Sequence, residues 1–264
     1  MDLLFLGLVG VATGVTTVLF GFGGGFVTVP VIMWVDADLG ESAAAVAVAT
    51  SSVVMVVNAG VATSATRRVV LRHLLGAKHL CALLAVGGAV GALLAGWAPA
   101  PLIHWGFVAY LGATLADVVL RPGFLRQSAS EVPTGEGLPI RSSLGVPIGA
   151  LASFLGVGGS VMTVPLLRRG GMPMAVATPL ANPLTFAISL PALVVFLLAS
   201  PDPPGAGTVG LIDLRSAMVL LVTAIPVIVL LRRRPPPVGD TVHAAAYVGL
   251  LLLMTIVAMG AGLR

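Results

Sequence analysis

The residues best placed to do chemistry here have almost no side chains. Gly21-Phe22-Gly23-Gly24-Gly25-Phe26-Val27-Thr28-Val29-Pro30 returns 135 residues later as Gly156-Val157-Gly158-Gly159-Ser160-Val161-Met162-Thr163-Val164-Pro165. Gly14 and Gly149 agree at the same offset, so four glycines keep one spacing, and Ser160 stands where the first copy has Gly25. A glycine cluster inside apolar sequence opens a helix and bares its N–H and C=O groups. Lipid tolerates that only where protein or a wet cavity covers them. Glycine lets a ligand touch backbone directly, and the N–H groups that start a half-helix favour an anion. Thr28, Thr50, Ser51, Ser160, Thr163, Thr178 and Asn182 could add neutral polar contacts. Every Lys and Arg falls in or beside a loop. The chemistry expected is therefore binding of a small anion by dipoles, at Gly21, Gly23, Gly24, Gly25, Gly156, Gly158 and Gly159 with those side chains. Two plainer readings compete. Glycines at this spacing can simply let helices pack closely, and Ser or Thr more often bonds back to its own helix than to a ligand.

The elements carrying these residues must be membrane-embedded. Of the 264 residues, 58% are hydrophobic and 9% charged, against about 25% charge in a soluble domain. Mean hydropathy is +1.08. The apolar runs have helical length, not the short alternation of a barrel. The net charge of +4 does not point to nucleic acid, because the basic residues sit in short loops and read as topology signals. The single cysteine, Cys81, lies in an apolar run and reads as a small core residue. No Lys or Arg precedes the first apolar run, so that segment is expected to remain in the mature protein. The histidines are too scattered for a metal site, and no cofactor is expected.

In chain order, residues 3–35 are apolar but broken at the glycines, and spans follow at 42–62, 80–96 and 103–120. Residues 121–142, with Arg121, Arg126, Arg141, Glu131 and Glu136, form the one real linker. The second half repeats the plan: a broken segment at 143–167, then spans at 174–198, 211–231 and 243–262. Val48-Ala49-Thr50-Ser51 echoes Val176-Ala177-Thr178-Pro179. Pro179, Pro183 and Pro191 should bend or break the span at 174–198. Gly87-x-x-x-Gly91 reads as close helix packing. Asp117 lies near the cytoplasmic end of its span and is a candidate intramembrane acid. It stands four residues before Arg121, and an interfacial ion pair is its simplest role.

If all eight apolar segments cross the membrane, Arg168, Arg169 and Arg232–Arg234 land outside. If each broken segment instead enters and leaves on one face, only Arg215 and Arg264 stay outside, which the positive-inside rule prefers. The expected fold is thus an all-α integral membrane protein of two homologous halves, 1–120 and 143–264, joined by a cytoplasmic linker at 121–142. Each half is a glycine-broken, re-entrant helical hairpin plus three transmembrane helices. The halves are inverted repeats whose glycine tips meet near the mid-plane. Residues 3–20 alone could span a bilayer, so a first helix that crosses fully is the rival arrangement.

With these residues in view, the chain resembles the TauE/SafE family of sulfite and organosulfonate exporters. The likeness rests on Gly-x-Gly-Gly-Gly-x-x-x-x-Pro at 21–30 and Gly-x-Gly-Gly-Ser-x-x-x-x-Pro at 156–165. Ala49-Thr50-Ser51, Ala177-Thr178, Gly210-Leu211-Ile212-Asp213 and the basic loop after the second segment support it. It covers nearly the whole chain. It implies transport of a small sulfur-containing anion such as sulfite or an organosulfonate, through the plasma (inner) membrane. Members differ in substrate and direction.

A secondary transporter is the lead reading. No Walker-type loop occurs. A proton is the plausible coupling ion, and the oligomeric state is left open. Two alternatives are an intramembrane hydrolase using Ser160 with His243, and a small-anion channel.

Overall fold

The computed structural model describes residues 3–125, 137–199 and 208–262. Most of the linker, including Arg126, Glu131 and Glu136, lies outside them, as do Asp202 and Arg264. The described residues are almost wholly helical. α1 spans Leu3–Phe20, α2 Gly25–Val35, α3 Ala43–Ser64, α4 Arg68–Leu71, α5 Lys78–Ala95 and α6 Ala100–Leu120. After the linker come α7 Gly145–Phe154, α8 Ser160–Arg169, α9 Met174–Leu198, α10 Leu214–Arg233 and α11 Asp240–Gly262. A single two-residue ladder, Thr208–Val209 (β1) against Ile212–Asp213 (β2), turns the chain into α10. Helices dominate because a chain in lipid must satisfy its backbone bonds within each segment.

Among the described residues, seven helices are long and apolar enough to cross a membrane: α1, α3, α5, α6, α9, α10 and α11. The chain is an all-α integral membrane protein. The two broken segments are interrupted where the glycines require it. Gly21, Gly23 and Gly24 adopt φ of 75°, 64° and 105°, and Gly156 and Gly158 adopt 66° and 75°, a region that L side chains avoid.

The two hairpins have unequal arms. α1 has 18 residues, about 27 Å at 1.5 Å per residue, whereas α7 has 10. No charge interrupts 3–20, while Arg141 shortens the apolar run before α7. Despite this length, the start of α1 and the end of α2 lie together, with the Phe5 and Trp34 rings 5.7 Å apart. At the second hairpin, Gly170, just past α8, abuts Pro139, just before α7. Trp34 shares a groove with His104 near the start of α6 and Ala258 near the end of α11. Arg169 pairs with Asp117 at the end of α6, and Arg168 with Asp240 at the start of α11. The hairpins therefore open toward opposite ends of the α6–α11 pair.

Helix pairing follows one pattern in both halves. α1 packs on α10, and α7 packs on α5; α2 lies on α3, and α8 on α9; α10 lies on α3, and α5 on α9. α3 packs on α9 and α6 on α11. Exchanging the halves maps every one of these pairings onto another or onto itself. Close approach at α5–α7 needs glycine on both sides. A methyl at Gly87 would lie 2.3 Å from the Val146 carbonyl oxygen, and one at Gly149 2.3 Å from that of Leu84. Between apolar helices in lipid such close packing, rather than expulsion of water, drives association.

Of the bend or break expected at the prolines of α9, the break does not occur. α9 runs unbroken from Met174 to Leu198 through Pro179, Pro183 and Pro191. Each proline removes one helical hydrogen bond. Neighbouring helices can compensate such losses in membrane proteins, and α9 is enclosed by α3, α5 and α8.

Candidate functional site

The glycine breaks meet in the protein interior. A methyl at Gly25 would lie 2.3 Å from the Gly156 carbonyl oxygen, and one at Gly158 3.3 Å from that of Phe22. Each break also rests on the long helix that follows the other hairpin. Gly156 sits against Ser51 and Val48 of α3, and Gly21 against Thr178 and Ala181 of α9. The first residues of α2 and α8 thus converge, bringing the positive ends of two helices to one buried crossing. Among the described residues, the amides of Gly23, Gly24, Gly25, Gly158, Gly159 and Ser160 donate no backbone hydrogen bond.

Aromatic packing holds the crossing in place. Phe22 and Phe26 stack with centroids 4.4 Å apart, and Phe20, Phe22 and Phe124 surround Tyr247. The Tyr247 hydroxyl donates to the Val161 carbonyl (3.1 Å) in the first turn of α8. Met55 fills the middle: its sulfur would lie 2.5 Å from a methyl at Gly25 and 3.0 Å from one at Gly158. A thioether chain with three rotatable bonds can vacate such a position at small cost.

All the residues expected from the sequence to bind the anion are buried, but they divide by partner. Thr28 donates to its own helix at the Gly24 carbonyl (2.8 Å), and Thr178 to that of Met174 (2.9 Å). The Ser51 hydroxyl donates to the Val48 carbonyl (2.7 Å) and is shared with that of Gly156 (3.1 Å), tying α3 to the second break. Thr50 points elsewhere: its hydroxyl accepts the Asp213 amide (2.9 Å), where the chain enters α10. Ser160 and Thr163 have hydroxyls with no hydrogen-bond partner among the described residues, and the Asn182 side-chain oxygen has none. Gly159, with φ of −72°, touches only the end of the Ile188 side chain closely.

Three residues outside the sequence-based set also belong to the crossing. Asn58, fully buried, has neither amide atom partnered and lies 3.0 Å from where a Gly24 methyl would be. Thr185 touches both breaks, at 2.9 Å from a Gly23 methyl and 3.1 Å from a Gly158 methyl, with its hydroxyl unpartnered. Met55 is the third. Their signal was periodic: Ser51, Met55 and Asn58 on α3, and Thr178, Asn182 and Thr185 on α9, share one i, i+4, i+7 spacing. Buried polar groups are rarely left unsatisfied, so this cluster has capacity for a polar ligand.

Other candidate groups are engaged. Asp117 pairs with Arg121 (3.2 Å) and Arg169 (2.7 Å), extending the expected pair into a link to α8. His243 donates from Nε2 to the Leu19 carbonyl, and no hydrogen bond joins it to Ser160; these residues form no nucleophile–base pair. At the opposite end, burial and the neighbouring Asp213 carboxylate raise Asp36 to about 6. Its charge is lost as the pH falls through mild acidity.

A protein-family model described as Sulfite exporter TauE/SafE matches residues 6–259, nearly the whole chain. The chain belongs to the TauE/SafE family. No curated protein and no solved structure matches it. As a TauE/SafE member with seven long apolar helices, it is a multi-pass membrane protein of an exporter-type transport family. In TauE/SafE terms the match takes in both glycine breaks and both polar stripes facing them.

Proposed function

We propose that the chain is a secondary transporter that exports a small sulfur-containing anion, such as sulfite or an organosulfonate, by alternating access around the crossed glycine breaks. The observation that carries this reading is the convergence of two helix starts, with unbonded amides, at a buried crossing lined by Asn58, Ser160 and Thr185. An anion there would be held by backbone N–H groups and helix dipoles, without a buried countercharge to release. The crossing is closed: a methyl at Gly25 would collide with a carbonyl. Binding would therefore displace Met55 and part the hairpins, and closing on the other side would release the anion.

In the same reading the halves, 1–120 and 143–264, are inverted repeats joined by a cytoplasmic linker, in the plasma membrane. The pairing pattern that survives exchange of the halves supports this. So does the gathering of Arg67, Arg121, Arg168, Arg169 and Arg232 at the end where α6 finishes and α11 begins, with Arg215 at the other. The positive-inside rule makes the arginine-rich end cytoplasmic. In a Cys81→Ala background, single cysteines at the exposed positions Leu4 and Trp34 should both react with an impermeant thiol reagent from outside. A cysteine at Arg233 should react only from inside. Opposite faces for Leu4 and Trp34 would replace the re-entrant first hairpin with a crossing one.

The function itself is tested with the full chain in proteoliposomes. Preloaded unlabelled sulfite should drive saturable counterflow of [35S]sulfite or a labelled organosulfonate. A channel would give flux without counterflow, and no flux of any sulfur-containing anion would reject the assignment.

A further inference from the structure

A cavity of about 320 Å³ lies at the arginine-rich end, between the ends of α1, α3 and α10 and the starts of α9 and α11. Leu19, Arg67, Thr178, Arg232 and His243 are among its walls. It leads inward: the carbonyl of Thr178 is the group against which Gly21 rests. One wall residue of the cavity, Thr178, is thus a direct neighbour of the first glycine break.

Its charge is one-sided. Arg232–Arg234 read in the sequence as a topology signal, a role served by side chains in water. Arg233 and Arg234 are exposed, as that role expects, but Arg232 is turned inward. Its Nε and Nη2 are buried and have no hydrogen-bond partner among the described residues. Arg67 adds a second, exposed guanidinium at the rim. Among the described residues, no carboxylate lines the cavity. The closest acid on α11, Asp240, is engaged by Arg168 (2.6 Å) and by the Met174 amide (2.8 Å). His243 spends its Nε2 proton on the Leu19 carbonyl. Unused buried guanidinium donors are costly unless something answers them, and their planar fork matches two oxygens of an oxyanion.

We propose that this cavity is a loading site for the transported oxyanion, in which Arg232, helped by Arg67, takes two of its oxygens before the anion passes Thr178 to the glycine crossing. The proposal rests on the reading of the chain as an anion transporter and adds to it a separate, charged entry site. The division of labour is physical. A guanidinium attracts and concentrates an anion at the mouth, and the crossing binds it by dipoles alone, from which it can leave.

The test compares wild type with Arg232→Gln, Arg232→Lys and Arg67→Gln, each checked for monodispersity and helical content. Two readouts are used: [35S]sulfite flux from the arginine-rich side in proteoliposomes, and the shift in Tm that sulfite produces on the full chain in detergent. Arg232→Gln should raise KM about tenfold or more with the maximal rate retained, a charge-assisted contact being worth at least that. It should also abolish the sulfite-induced Tm shift. Arg232→Lys should recover part of the loss, and exposed Arg67→Gln should raise KM about two- to threefold. An unchanged KM and Tm shift in Arg232→Gln overturns the loading site while leaving the transport reading intact. A sulfite Tm shift lost in Arg232→Gln, in a wild type that moves no anion, supports the binding site and overturns transport. A shift produced by phosphatidylglycerol and not by sulfite reassigns Arg232 to a lipid headgroup and overturns the proposal. No shift and no flux in wild type overturn both.

Discussion

Gly25→Ala should reduce transport to about 1% of wild type or less, because a displacement near 1 Å at a binding site can cost about a hundredfold. The added methyl would meet the Gly156 carbonyl oxygen at 2.3 Å and the Met55 sulfur at 2.5 Å. The methionine can swing away, but the carbonyl belongs to the backbone of the other hairpin. The hairpins must separate, and the two helix starts lose their shared focus. The helices themselves should survive, since alanine is a good helix former and overpacking of this kind costs about 1–3 kcal/mol. Gly24→Ala should be nearly as damaging: φ there is 105° and the methyl would meet the Thr13 side chain at 2.4 Å. Gly159→Ala is the control. Its φ is ordinary and its closest contact is the flexible end of Ile188, so transport should stay within about threefold of wild type, as an adjustable contact allows. Initial counterflow rates, normalised to monodisperse protein, give all three values. Wild-type transport in Gly25→Ala would mean that the crossing has no special role.

Arg168→Ala should cost about 3 kcal/mol of stability, the scale on which a fully buried side chain loses its packing and its charge-assisted hydrogen bonds, although its partner Asp240 is 40% exposed. Arg168 is 0% exposed and is among the largest fully buried side chains. Its Nε donates to the Phe124 carbonyl (2.8 Å), and its Nη2 pairs with Asp240 (2.6 Å). It thereby ties the end of α8 to the start of α11 and to the segment after α6. Truncation removes these bonds together and leaves a cavity. The Tm in detergent should fall by roughly 6–12 °C, at about 2–4 °C per kcal/mol for a chain of this size. Arg121→Ala removes an ion pair of similar appearance on a side chain that is 74% exposed, and should change stability by less than about 1 kcal/mol. Similar Tm values for the two variants would contradict the role assigned to burial.

What the sequence made legible follows from where each feature's cause resides. The breaks at 21–25 and 156–160 were legible because a left-handed backbone demands glycine at the residue itself. Span positions were legible because apolar length is a local property, and α5, α6, α9 and α11 start and end within a few residues of expectation. The continuity of α9 was not, since whether a proline breaks a helix depends on neighbours that enclose it. The partners of the breaks were only half legible. Ser51 and Asn182 were singled out, but Asn58, Thr185 and Met55 earn their place by facing the opposite hairpin, and that pairing is long-range. Thr50 lies in the same echo as Ser51, yet one residue turns a helical side chain by about 100°, and its hydroxyl serves the entry to α10 instead. Arg232 was hidden within a run of three arginines whose other members face out.

The most direct measurement is the position of a bound anion. Crystals of the full chain grown with selenite, a heavier analogue of sulfite, would locate selenium by its anomalous scattering. The account predicts a peak between Gly23–Gly25 and Gly158–Ser160, within reach of Asn58 and Thr185, with Met55 displaced. Selenium bound only elsewhere, at a concentration that saturates transport, would contradict it.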